Sequence, residues 1–306
     1  MAYNDLTKPY RSEPISCVLL GMDFRKEMSL SRRGFMIGGI GLAGALRAMP
    51  SNPACVLTTE QEEGPFYVDY KKVRHDITEG KQGVPVQLKV ALVHAKKCTP
   101  LSNAALDIWQ CDASGVYSAF TKVKMGPPPG MGPGGPGGRP PGPPPGGGFG
   151  PPPGIGNHKG MDETRFLRGV QATDSNGMVE FATIYPGWYQ GRTIHIHLKV
   201  HTGGHVSHTG QLFFPEDVTE RIAKMQPYAK NTEVHRTTQA EDHVYQDEHG
   251  APGMVTLARI DPRSEAGGVI ATVTLAVDPE ATPAPVGMGG PGGPGSGRGE
   301  PPPAGY

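Results

Sequence analysis

The sequence predicts an all-β fold, an antiparallel β-sandwich with few short helices. Three observations favour it: short runs in which apolar and polar side chains alternate, turn signals between the runs at residues 112–115 and 174–177, and a shortage of helical patterns. Alternation with a period of two gives a strand one apolar face. Regularly spaced short strands of this kind are typical of two packed antiparallel sheets.

The strand-like runs follow one another along the central part of the chain. They lie at residues 86–92, 105–110, 170–172, 178–182, 194–200 and 269–277. The one helix candidate covers residues 216–225 and follows Pro215, a residue favoured at helix starts. We expect residues 58–283 to form a single domain.

Glycine and proline are concentrated in two segments. The sequence has 45 glycines and 33 prolines in 306 residues, and residues 126–156 and 284–306 are rich in both. Such segments lack the apolar side chains of a core, and their composition favours disordered or polyproline-like chain. We interpret residues 126–156 as a surface loop inserted into the domain and residues 284–306 as a tail.

We interpret residues 1–57 as an N-terminal extension that carries an export signal. Residues 31–36 (SRRGFM) resemble a twin-arginine motif and lead into a short apolar stretch at residues 35–46. We expect export through the twin-arginine pathway to the periplasm or the extracellular space, with Met28 as an alternative start and cleavage between residues 48 and 55. An amphipathic N-terminal helix is the other interpretation.

The cysteines are few and bear on the same question. An exported protein can form disulfides. Cys55, Cys98 and Cys111 lie in the expected mature region, and Cys17 does not. Three cysteines allow one bridge and leave one thiol over, and the sequence does not choose the pair. It contains no C-x-x-C zinc pair.

Charge and hydropathy exclude two classes of partner. Lys and Arg total 29 and Asp and Glu total 29, so no broad basic field for nucleic acid is expected. No apolar run approaches the roughly 20 residues that a membrane-spanning helix needs. The expected partners are therefore small molecules, with a homo-oligomer as a further expectation through edge strands and the apolar C-terminal strand.

The residues that indicate chemistry are two histidines and two tyrosines. His195 and His197 are two apart on an expected strand, so both imidazoles face one side as a metal-binding pair would. A Pro-Gly turn at residues 186–187 precedes Tyr189, and a turn at residues 114–115 precedes Tyr117. The His-x-His pair alone also fits ordinary polar strand residues.

The sequence resembles the intradiol ring-cleavage dioxygenases, such as the protocatechuate 3,4-dioxygenases and catechol 1,2-dioxygenases. The resemblance covers most of residues 58–214 and follows the family's order. Its five pieces are residues 63–67 (EGPFY), 109–117 (WQCDASGVY), 166–171 (FLRGVQ) with 173–177 (TDSNG), 186–189 (PGWY) and 192–197 (RTIHIH).

This resemblance implies a ferric centre. Fe(3+) would be held by Tyr117, Tyr189, His195 and His197, with Tyr189 and His197 axial. A free tyrosine has a pKa of about 10, so a phenolate at neutral pH needs a strong Lewis acid such as Fe(3+). Tyr189 would leave the metal on substrate binding and take a proton.

The resemblance also implies the reaction and two further site residues. A catechol and O2 would give a cis,cis-muconate-type diacid, a step of aromatic-compound catabolism that needs no nicotinamide or flavin. Arg192 matches the arginine beside the bound catechol, where it would stabilise developing negative charge. Gln211 stands where the family has a pocket glutamine.

A departure from the better-known members leaves the substrate open. Only Gln190 and Gly191 separate Tyr189 from Arg192, whereas those members have a longer loop there that helps to wall the pocket. The helical dimerisation region of catechol 1,2-dioxygenases has no counterpart. The shortened loop resembles a single-chain, often secreted branch of the family.

Other interpretations lead to different functions. A cupin-like metalloenzyme would need further His and Glu ligands, and a transthyretin-like binding module would not need two tyrosines and Arg192 together. Tyr185 is an alternative to Tyr189, and we interpret Trp109 as a core residue. Three further histidines are expected in a polar strand end and loop and not in a second metal site. They are His201, His205 and His208.

Overall fold

Two four-stranded sheets pack face to face in the computed structural model. It describes residues 55–123, 158–284 and 286, which all belong to one compact unit. The strands are β1 (Pro85–His94), β2 (Ala105–Trp109), β3 (Arg168–Ala172), β4 (Met178–Ile184), β5 (His195–Thr202), β6 (His205–Phe213), β7 (Thr256–Asp261) and β8 (Ser264–Val277). The all-β sandwich predicted from the sequence is confirmed.

The two sheets have the strand orders β4-β1-β8-β7 and β3-β2-β5-β6. All neighbouring strands are antiparallel except β1 and β8, which run parallel with Val86 opposite Val269. The first sheet is therefore mixed and not purely antiparallel, because the long connection before β7 and β8 lets β8 enter in the same direction as β1. The C-terminal strand β8 lies inside its sheet, so its edges are already paired. Homo-oligomerisation stays a prediction.

Side-chain alternation places the core between the sheets. Leu88 and Val90 of β1 are fully buried in it, as are Ile196 and Val200 of β5. Strand β5 is buried on its other face too, because a second apolar cluster, which includes Phe66, covers that side. The second apolar cluster thus covers the outer face of the second sheet, so polar side chains on that face can be buried.

The helices are short, as the sequence predicts. Helix α1 (Glu216–Ala223) confirms the expected helix after Pro215 and ends two residues earlier. Helix α2 (His243–Asp247) was not predicted, and neither were the 3-10 helices Tyr228–Lys230 and Ala251–Gly253. No helix among the described residues is long and apolar enough to cross a membrane.

Two strands were also missing from the sequence prediction. The loop expected around His205 and His208 is wrong, because both residues lie on β6. His208 is buried there, and its Nδ1 forms a 2.6 Å hydrogen bond with Glu60 Oε1, a partner distant in the sequence. Strand β7 was missed because most of its side chains are exposed, so its sequence lacks a regular alternation of apolar and polar residues.

A disulfide joins Cys55 to Cys98, and Cys111 is a buried free thiol. The bridge ties the segment before residue 58 to the connection between β1 and β2. The predicted signal, the insertion at residues 126–156 and the tail, apart from residues 284 and 286, lie outside the described residues. The predicted domain limits 58–283 stay a prediction.

Candidate metal centre

The alternation of β5 brings two imidazoles to the outer face of the second sheet. Ile196 points into the core, while His195 and His197 lie on the opposite side with their Nε2 atoms 3.0 Å apart. Nδ1 of His195 lies 2.6 Å from the carbonyl oxygen of Thr193. A carbonyl only accepts hydrogen bonds, so this contact places the proton on Nδ1 and leaves the Nε2 lone pair directed at the cluster.

Two tyrosine hydroxyls reach the same point. The Oη atom of Tyr189 lies 3.1 Å from His195 Nε2, and the Oη atom of Tyr117 lies 3.5 Å from it. Tyr117 follows the turn as expected, but it forms only an isolated bridge with Cys111 and does not start a strand. The four sequence-predicted metal ligands thus converge with their donor atoms inward.

Glycines allow the two tyrosine-bearing turns to press against each other. A Cβ atom on Gly115 would lie 2.2 Å from the Trp188 carbonyl oxygen, and one on Gly187 would lie 2.4 Å from the Ala113 carbonyl oxygen. Real Cβ atoms do not approach backbone oxygens so closely. The turn before Tyr117 and the turn before Tyr189 therefore depend on glycine for their mutual fit.

Burial sets the electrostatics of the cluster. It raises the pKa of the Tyr117 and Tyr189 phenols and lowers the pKa of the His195 and His197 imidazoles far below its usual range. Neutral imidazoles are ready to donate lone pairs, while the phenols need a cation to ionise. Two phenol oxygens and two imidazole nitrogens at one buried point fit a ferric ion.

Within the described part of the chain, no group of three or more His, Cys, Asp or Glu side chains is arranged to hold a metal ion. A metal site made of those residue types alone is therefore absent there. The convergent set is instead a mixed one of tyrosines and histidines.

Aromatic side chains enclose the four ligands. The Phe66 ring stacks on the Tyr117 ring with centroids 4.5 Å apart. The Trp109 ring stacks on the His197 ring with centroids 5.0 Å apart and an angle of 3° between the ring planes. Trp109 is fully buried, in agreement with its predicted core position. A Cβ atom on Gly64 would lie 2.9 Å from His197 Cε1, so the chain at residues 64–66 forms a close cover over the site.

Arg192 borders the cluster and is held by several partners. Its Nε donates to both carboxylate oxygens of Asp242 at 3.2 Å, its Nη1 donates to Glu62 Oε1 at 3.2 Å, and its Nη2 donates to Gln211 Oε1. Nε2 of Gln211 in turn donates to the Glu62 carbonyl at 3.0 Å. The structure thus brings the two predicted pocket residues, Arg192 and Gln211, into direct contact.

Sequence reasoning missed two carboxylates of this network. Asp242 is fully buried, and it also accepts from the Thr193 amide at 2.9 Å and caps helix α2. A capping aspartate before a short helix is visible in a sequence, but its contact with Arg192 is not. Glu62 precedes the EGPFY segment and gave no signal of its own.

The alternative tyrosine is used elsewhere. The Tyr185 hydroxyl lies 2.6 Å from the Thr219 hydroxyl of helix α1, and its ring belongs to the main core. Tyr185 is therefore absent from the cluster that Tyr189 joins. His208 contacts Glu60 and His205 contacts the Ala281 carbonyl, and no metal-binding group forms from them among the described residues, so a second metal site is not supported there.

Solved structures of known proteins share this architecture. An intradiol ring-cleavage dioxygenase from Tetranychus urticae matches with 30% identity and a TM-score of 0.61, covering 76% of this chain and 98% of that chain. A second structure, described as a dioxygenase, matches with 31% identity and a TM-score of 0.58, covering 74% and 96%. No protein-family model and no curated protein sequence matches the chain.

Proposed function

Since the chain belongs to the intradiol ring-cleavage dioxygenases and is thus a ring-cleaving oxidoreductase, we propose that it uses Fe(3+) and O2 to open a catechol. The bond that breaks lies between the two hydroxyl-bearing carbons, and the product is a cis,cis-muconate-type diacid. The observation that carries this proposal is the convergence of Tyr117, Tyr189, His195 and His197 at one buried point.

The chain's own residues fit distinct tasks in this reaction. When bound, Fe(3+) would supply the Lewis acidity that ionises the phenols and the catechol hydroxyls. In its ionised form, Tyr189 would accept the proton of one substrate hydroxyl at Oη, because burial raises the pKa of this phenol and makes its phenolate a strong base. Arg192, fixed on three sides, stabilises negative charge that develops on the substrate. Phe66 and Trp109 exclude water from the ligands.

Family membership replaces the alternatives considered from sequence. A cupin-like metalloenzyme and a transthyretin-like binding module are both set aside, because the relatives that share the fold at 30% and 31% identity are dioxygenases. No observation within the described residues favours a second function.

Export through the twin-arginine pathway belongs to the same proposal. The Cys55–Cys98 disulfide supports it, since structural disulfides persist mainly in oxidising compartments. We expect the precursor to reach the periplasm or the medium and to remain inside when Arg32 and Arg33 are both replaced by lysine. Equal export of both forms would contradict this part.

Ferric loading tests the central proposal. Phenolates bound to Fe(3+) absorb visible light, so the loaded protein is expected to turn wine-red, and a catechol should then be consumed with one O2 per ring opened. Product analysis should find the diacid. A protein that stays colourless after loading, or a product cleaved outside the two hydroxyl-bearing carbons, would overturn the proposal.

A further inference from the structure

Arg192, whose charge acts on the Tyr189 phenol, is paired with two carboxylates. Glu62 and Asp242 both accept hydrogen bonds from it, and the side-chain exposures of Arg192, Glu62 and Asp242 are 12%, 13% and 0%. One positive and two negative charges leave this group with a net charge of −1. A third carboxylate lies behind Glu62, since Glu248 Oε2 accepts the Glu62 amide at 2.9 Å.

Two other cations of the described residues lie near the metal ligands, and each has a carboxylate of its own close by. Lys199, on the same strand as the histidines, forms an ion pair with Glu63. Arg168 donates from Nε to the Ser118 hydroxyl and from Nη2 to the Ser118 carbonyl, and its charge interacts with that of the Asp107 carboxylate. Charges that are this deeply buried are poorly screened by solvent and salt.

Glu62 is close enough to the metal ligands to act on them electrostatically. Its charge contributes to the raised pKa of the Tyr189 phenol. Its own backbone carbonyl holds Gln211, and Gly64, two residues on, lies against His197. The acidic side chain therefore stands at the start of the segment that covers the site.

We propose that Glu62 is a specificity-determining residue that restricts the enzyme to catechols without an anionic ring substituent. This inference rests on the proposed function. A ring carboxylate near this group would meet a weakly screened net negative charge, because Arg192 is shared between Glu62 and Asp242. An uncharged catechol meets no such repulsion. One unit charge at pocket distances costs enough to change selectivity by about tenfold or more.

The test compares three substrates on the iron-loaded enzyme at pH 8: catechol, 3,4-dihydroxybenzoate and 3,4-dihydroxybenzamide. The last two are similar in size and differ in charge, which separates repulsion from steric exclusion. For the unaltered enzyme, kcat/KM is expected to be at least about tenfold higher for the amide than for the carboxylate.

The Glu62→Gln variant then isolates the charge. Glutamine keeps the size of the side chain and a carbonyl that accepts from Arg192, so the amide-to-carboxylate ratio should fall by about tenfold. Because this is a ratio of ratios, the different intrinsic reactivities of the two rings cancel. The control is Glu163→Gln, whose side chain is 98% exposed; it should leave the ratio unchanged.

The outcomes separate the two proposals. If no catechol of any kind is cleaved, the proposed function fails, and this inference fails with it. If rings are cleaved but the unaltered enzyme turns over the carboxylate as well as the amide, the inference alone is overturned. The same holds if Glu62→Gln and Glu163→Gln give equal ratios. Should Glu62→Gln fail to fold, the comparison on the unaltered enzyme still decides.

Discussion

At the scale of single residues, each ligand depends on a neighbour that fixes it. His195 is oriented by the Thr193 carbonyl, His197 by the Trp109 ring, and Tyr117 by the Phe66 ring. Orientation by such partners holds ligand atoms in place before a metal arrives. A substitution at a ligand and one at a look-alike residue should therefore differ sharply in effect.

Tyr189 and Tyr185 provide such a matched pair. Replacing Tyr189 by Phe removes one phenolate, so the visible band of the iron-loaded protein should shift and kcat should fall by about a hundredfold or more, as for the loss of a general base. Replacing Tyr185 by Phe removes only the hydroxyl contact with Thr219 and should cost about 1 kcal/mol of stability. An unchanged band in the first variant and a changed band in the second would transfer the ligand role to Tyr185.

Asp107 links stability to pH. Burial is the main cause that raises the pKa of this carboxyl from 3.8 to about 7, while the Tyr67 hydroxyl, Arg168 and Lys199 oppose the rise. Between pH 4 and 7 the folded protein then binds a proton that the unfolded chain has released. Stability contributed by this group is present at low pH and is lost as pH rises through that window.

Asp107→Asn is the corresponding test. The free energy of unfolding of the unaltered protein, relative to the Asn variant, should fall between pH 4 and 8 by up to about 4 kcal/mol, which corresponds to about three pKa units. Denaturant unfolding at several pH values measures the difference. A difference that grows in favour of Asp107 with rising pH would mean that Arg168 and Lys199 outweigh burial.

At the scale of elements, what the sequence predicts is what local patterns encode. The alternation with a period of two over β5 predicts that His195 and His197 share a face. The two turn signals predict that Tyr117 and Tyr189 each lie directly after a turn. Strand β6 was missed because its buried His208 depends on Glu60, a partner 148 positions away. The carboxylates around Arg192 were missed likewise, since Asp242 and Glu62 lie 50 and 130 positions from it.

The close fit of the two ligand-bearing turns gives a prediction at this scale. Gly115 has φ +83° and no room for a Cβ atom beside Trp188, whereas Gly80 has φ +76° and no atom within 4 Å of that position. Gly80→Ala should cost about 1–2 kcal/mol for the left-handed backbone alone. Gly115→Ala should cost more and should also alter the visible band, because the clash moves the turn that carries Tyr189.

Thermal unfolding and absorption of the iron-loaded variants measure these effects. Comparing the two alanines separates backbone strain, common to both, from the clash that only Gly115 suffers. Equal losses of stability with an unaltered band in both would mean that the two turns are not coupled through this contact.

At the scale of the whole molecule, the described residues close a sandwich on both sides of the glycine- and proline-rich insertion. Its two ends meet: the Thr121 amide and hydroxyl donate to Asp162 Oδ2 at 2.9 and 2.8 Å, and the Ala119 carbonyl accepts from the Met161 amide at 2.7 Å. Tyr117, two residues before Ala119, is thus held by contacts made outside the insertion. We therefore expect the fold and the site to form without contacts from residues 126–156.

Replacing residues 126–156 by a short Gly-Ser linker should therefore leave the visible band and catechol turnover intact. Shortening a loop changes its closure entropy only slowly, so unfolding free energy should stay the same or rise by about 1 kcal/mol. Asp162→Ala in the full-length chain is the matched opposite, since it keeps the insertion but removes the anchor at its base, and it should lower stability. Loss of colour on deletion, with Asp162→Ala unaffected, would place a necessary contact of the iron site within residues 126–156.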